Sequence, residues 1–124
     1  MAKKPLEVLT ESMFYLLMAL SREERCGTEI AAFIDRKTGG RVAMGPGTLY
    51  ALLGRFLEEG LIAEVEAPGR RRAYRLTEQG RRLYGQELDR LRSCVADAES
   101  EAQAQPAGEE VSDEGNPVAL PVPT

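Results

Sequence analysis

The chain has 124 residues, 16 Lys or Arg against 20 Asp or Glu, two cysteines and no histidine. This length allows one small domain with some chain left over, and the missing histidines remove Ser-His and Cys-His catalysis and most zinc sites at once. The formal net charge of −4 hides a split: every base lies in residues 1–96, which balance to +3, while residues 97–124 hold seven acids and no base. The acidic total therefore belongs to the C-terminal end and does not argue against an anionic partner such as nucleic acid.

Lys3, Lys4 and Pro5 open the chain as a short basic arm. Thr10 is a suitable N-cap for a first helix whose Met13, Phe14, Leu16, Leu17 and Leu20 make it strongly apolar. Arg22, Glu23, Glu24 and Arg25 read as a polar loop. A second helix is predicted from Gly27 or Thr28 to Lys37, with Ile30, Ala31, Phe33 and Ile34 inward and Thr38-Gly39-Gly40 as its stop. The third helix has the plainest signals. Gly45 can cap it, Pro46 suits its first position, and Gly60 suits the left-handed residue past its end. Leu49, Leu52, Leu53, Phe56 and Leu57 form its apolar stripe at i, i+3, i+4, i+7 and i+8. Three short helices with a tight connection before the third read as a helix-turn-helix.

Leu61 to Ala67 turns towards strand character, Ala67-Pro68-Gly69-Arg70 has the signature of a type II turn, and Ala73 to Leu76 returns as a second strand. Thr77 can cap a fourth helix, with Glu78 in its first turn. Along that helix Tyr84, Leu88, Leu91, Val95 and Ala98 recur in steps of four and three, the spacing of a coiled-coil seam. The same stripe would also serve for packing on the first helix. Beyond Gln103 the composition turns to Pro, Gly, Glu, Ser and Ala, and a disordered acidic tail is expected.

The chemistry concentrates in two places. The third helix carries Gly47, Thr48, Tyr50, Ala51, Gly54 and Arg55 on its polar side, small or hydroxylated residues with one cation and no acid before Glu58. A helix N-terminus attracts a phosphate, Gly47 lets the backbone approach, and Thr48 and Tyr50 can donate to phosphate oxygens. Ala51, Gly54 and Arg55 share the side that would face base edges, although Arg55 could instead pair with Glu58 or Glu59. The hairpin tip places Arg70, Arg71 and Arg72 in succession, with only Glu64 and Glu66 nearby to neutralise them. Double-stranded DNA is the partner this pattern fits.

Gly47-Thr48-Leu49-Tyr50, Leu53, Arg55 and Gly60-Leu61-Ile62, followed by Arg71-Arg72-Ala73-Tyr74-Arg75-Leu76-Thr77-Glu78-Gln79-Gly80, resemble the PadR-like winged-helix repressors. The resemblance covers roughly residues 9 to 92, with a departure at Thr28, where the family usually has Tyr. It implies a mainly α fold with a small β-hairpin wing: a winged helix-turn-helix over residues 1–77, a C-terminal dimerisation helix over 78–102, and the tail over 103–124. It further implies a homodimer joined through the last helix, and a transcription factor rather than an enzyme. Family members respond to aromatic effectors. With no Trp and few aromatics here, the identity of any effector stays open, and no cofactor or metal is expected. Unpaired thiols and the lack of a long apolar run give a cytoplasmic expectation. A winged helix docking an acidic protein, without DNA, is the rival reading.

Overall fold

The computed structural model describes residues 9–66 and 72–104. The basic arm at residues 1–8, the turn with Arg70 and Arg71, and the tail beyond Ala104 lie outside the described residues. The element order is α1 (Glu11–Ala19), β1 (Arg25–Cys26), α2 (Gly27–Thr38), α3 (Pro46–Glu58), β2 (Ile62–Val65), β3 (Ala73–Leu76) and α4 (Glu78–Gln103).

Local chemistry sets the helix ends. The Thr10 hydroxyl accepts from the Met13 N–H at 3.2 Å and starts α1. Gly39, at φ 62°, ends α2. α3 closes with a Schellman pair: Leu61 N–H donates to the Phe56 carbonyl at 2.9 Å and Gly60 N–H to that of Leu57 at 3.1 Å. Gly60 sits at φ 77°, a region that side chains disfavour. The link from α2 to α3 is also fixed, because Val42 is buried and its N–H donates to Thr38 Oγ1 at 3.1 Å. Arg41 ties the same link to α1 through Glu11 and the Tyr15 hydroxyl.

The apolar stripes meet in one core. Leu16 and Leu17 of α1, Ile30 and Ile34 of α2, and Leu53 and Phe56 of α3 are its most deeply buried side chains. Phe33 departs from its inward assignment. It is half-buried, and Arg25, Arg36 and Lys37 lie 4.7, 5.8 and 5.5 Å from its ring centre.

The sheet is larger than the hairpin read from the sequence. Its order is β1-β3-β2, both pairings antiparallel. Arg25, assigned above to a polar loop, is instead in a two-residue strand, with Arg25 opposite Tyr74 and Cys26 opposite Ala73. Two residues carry no periodicity, so only the pairing partner reveals the strand. Ile62, Tyr74 and Leu76 are buried, while Arg75 between the last two is exposed, the alternation of a half-buried sheet.

The described residues fall into two compact units, one ending at Arg90 and the other beginning at Leu91. In the first, Thr77 starts α4 by accepting from Gly80 N–H at 3.0 Å while its own hydroxyl donates to the Gly60 carbonyl at 2.7 Å. In the second, α4 is exposed from Arg92 onward. No helix among the described residues is long and apolar enough to cross a membrane.

Glu87 is a buried acid, 4% exposed. The Arg90 hydrogen bond, at 3.1 Å from Nε, does most to hold its carboxyl below the usual glutamate range; the Leu9 N–H adds to this, and burial opposes it. A depressed folded pKa means that the stabilisation is fully present above the ordinary value of ~4.3 and fades as pH falls through the folded one. Glu87→Gln is therefore expected to cost about 1 kcal/mol at neutral pH, with the gap closing in acid. Thermal midpoints of both chains measured from neutral pH downward check this. A gap independent of pH would mean that the carboxylate charge contributes nothing.

Candidate nucleic-acid interface

The N-terminal half of α3 is bare towards solvent. Gly45, Pro46, Gly47, Thr48, Tyr50, Ala51 and Gly54 are all exposed, whereas Leu49, Leu53 and Phe56 on the other side are buried. A methyl group added at Gly45, Gly47 or Gly54 would meet nothing within 4 Å among the described residues. Packing inside the chain therefore does not require these glycines, and the small surface they leave is available to something outside it. No acid lies in the first turn to compete with an incoming anion.

Arg55 stands at the end of this face and carries a neighbour. Its Nε lies 3.7 Å from Glu59 Oε2. That is an ion pair, but neither of these two atoms has a hydrogen-bond partner. The Arg55 side chain is 40% exposed and that of Glu59 13%, so the arginine is the member placed to reach outward.

At the base of the hairpin, Arg72 donates to Glu64 at 3.1 Å, with both side chains largely in solvent. Tyr74, two residues further along, is 4% exposed. Burial pushes its phenol up from the ordinary value, with Glu64 and Tyr50 adding to the effect and Arg72 opposing it. Arg72, Glu64, Tyr74 and Tyr50 thus form one polar neighbourhood between β3 and α3. Tyr74 is a core residue, and of the three tip arginines only Arg72 is among the described residues.

The fold is that of a winged helix, and the family model described as "Transcriptional regulator PadR-like family" matches residues 16–86. The chain belongs to the PadR-like family of transcriptional regulators. Solved structures agree with that membership. A transcriptional regulator from Clostridium thermocellum is 26% identical with a TM-score of 0.62, over 71% of this chain and 89% of that one. A PadR-like regulator from Bacillus cereus is 21% identical with a TM-score of 0.65, over 76% and 93%. A PadR family regulator from Clostridium difficile is 21% identical with a TM-score of 0.62, over 73% and 96%. Comparison with curated proteins found no match. The family consists of transcription regulators, not enzymes.

Within this PadR-like chain the proposed dimer residues divide. Tyr84 is half-buried and stacks on Phe14 of α1, ring centres 5.2 Å apart, so its ring is used within its own chain. Leu88 and Leu91 are half-buried, Val95 is 54% exposed and Ala98 is exposed. The first unit also holds a cleft of about 570 Å³ lined by Met18, Arg22, Arg25, Phe33, Lys37 and Tyr84 among others. Sequence reasoning missed the contact between Gly27 and Tyr50, 23 positions apart, for which no local signal exists.

Proposed function

We propose that this chain is a homodimeric, sequence-specific DNA-binding regulator, acting in the cytoplasm as a repressor that occupies promoter DNA. Each protomer places α3 in a major groove, and the two α3 helices meet an inverted repeat about one helical turn apart. Thr48 and Tyr50 donate to phosphates, Gly47 allows close approach, and Ala51, Gly54 and Arg55 face base edges. Arg70, Arg71 and Arg72 follow the backbone or the minor groove beside it. Leu88, Leu91, Val95 and Ala98 form the seam between protomers. The observation that carries the reading is the exposed, acid-free start of α3, with glycines that internal packing does not require.

Duplex DNA of mixed sequence, titrated at several salt concentrations, tests it. Replacing Arg70, Arg71 and Arg72 together by Ala is expected to lower the salt slope by about two to three units. The smaller figure applies if Arg72 stays with Glu64. An exposed pair of this kind is worth at most ~1 kcal/mol, so phosphate competes well for Arg72. An unchanged slope would show that the hairpin tip does not touch DNA. A wild-type chain with no salt-dependent duplex binding would favour the protein-docking reading.

A further inference from the structure

Gly27 is the buried first residue of α2. An ideal Cβ there would lie 2.2 Å from the Tyr50 hydroxyl oxygen and 2.7 Å from the ring carbon that bears it. No real Cβ comes that near another atom, so the Tyr50 phenol rests directly on the glycine backbone. Among the described residues the glycines with positive φ are Gly39, Gly40 and Gly60, so Gly27 is not demanded by backbone conformation. What excludes a side chain is the phenol. The residue before it, Cys26, is paired with Ala73, and Arg25 with Tyr74, so β3 holds the start of α2 in place. Tyr50 remains 48% exposed while resting there.

We propose that Gly27 is a positioning residue for DNA binding: lacking a side chain, it seats the Tyr50 phenol of α3 against the first turn of α2, in register with β3 and Arg72. The proposal rests on the reading of α3 as the DNA-facing helix. A free phenol on a helix surface loses rotamer freedom when it binds a phosphate, whereas a seated one has lost it already. The seat also joins the two DNA-facing elements. The glycine is tied to the hairpin through β1 and β3, and the hydroxyl belongs to α3, so the seat adds a second link between them beside the α3–β2 junction at Gly60 and Leu61.

Four chains test the seat: wild type, Gly27→Ala, Tyr50→Ala and the double variant. Each is measured for thermal midpoint and for affinity to mixed-sequence duplex at low salt. Gly27→Ala alone is expected to push the half-exposed phenol off its seat at little cost to the midpoint, and to weaken binding by up to about tenfold, the loss expected when one side chain must be ordered afresh. In the Tyr50→Ala background the same change is expected to leave affinity unaltered and to raise the midpoint, because Ala suits a helix better than Gly once the phenol is gone. A Gly27→Ala chain that fails to fold while the double variant folds also supports the seat. Equal losses of affinity in both backgrounds overturn it, as does failure of both Gly27→Ala chains to fold, since something other than Tyr50 would then need the glycine. Wild-type protein that binds no duplex overturns the DNA reading, and with it the role given to the hydroxyl. An additive cycle alongside intact wild-type binding overturns the seat alone.

Discussion

Gly80→Ala is expected to lower stability by about 3 kcal/mol, the upper end of what overpacking costs. A Cβ at Gly80 would lie 2.0 Å from the Leu61 carbonyl oxygen, 2.9 Å from its carbon and 3.2 Å from a Leu76 methyl. The obstacle is backbone, and that backbone is held on both sides. The Leu61 carbonyl accepts from Thr77 N–H at 3.0 Å, and the Leu61 N–H is committed to Phe56 at 2.9 Å. Thr77 in turn holds the Gly60 carbonyl, and Gln79 reaches the Glu59 carbonyl at 3.4 Å. Moving α4 away to admit a methyl would break the Thr77 cap, and moving Leu61 would disturb the end of α3. For a domain of this size such a loss shifts the thermal midpoint by more than about 12 °C. Gly85, in the interior of the same helix, is the control, since a Cβ there meets nothing within 4 Å. Gly85→Ala is expected to raise stability by roughly 0.5–1 kcal/mol. Urea unfolding of both variants reads the two opposite signs; a Gly80→Ala chain within a few degrees of wild type would show that the α3–β2 junction yields easily.

Leu91→Glu is expected to give a folded monomer whose operator affinity falls by roughly a thousandfold, the low end of the margin between specific and non-specific binding. The proposed seam carries the argument. Tyr84 is occupied by Phe14, whereas Val95 and Ala98 are exposed, so the stripe has apolar surface for a partner to cover. A carboxylate placed in a dry seam costs several kcal/mol unless it is paired. One half-site then offers each protomer only half the DNA contacts. Sedimentation at micromolar concentration, with circular dichroism alongside, separates the outcomes. An intact dimer would remove Leu91 from the seam. An unfolded chain would assign it to the folded state of the single protomer.

The sequence by itself determined the features whose cause lies within about four residues along the chain. Thr10 caps α1, Gly45 and Pro46 open α3, and Gly60 closes it. The buried stripe of Leu49, Leu53 and Phe56 follows from helical spacing. The bare face of α3 could be read in the same way, because the absence of long side chains is visible without knowing what packs where. Only the tertiary structure decided the rest. β1 is a strand solely because β3 passes beside it, and a two-residue pairing leaves no pattern of its own. Glu87 is buried and takes a backbone N–H from Leu9, 78 positions away, which nothing local to the helix announces. Tyr84 had the spacing of a dimer seam but stacks on Phe14. Gly27 and Gly80 read as an ordinary helix start and a motif glycine, while what lies against them is the Tyr50 phenol and the Leu61 backbone, 23 and 19 positions away. Capping and periodicity act between near neighbours and leave a trace in the sequence. Steric exclusion between distant residues leaves none until the chain has folded.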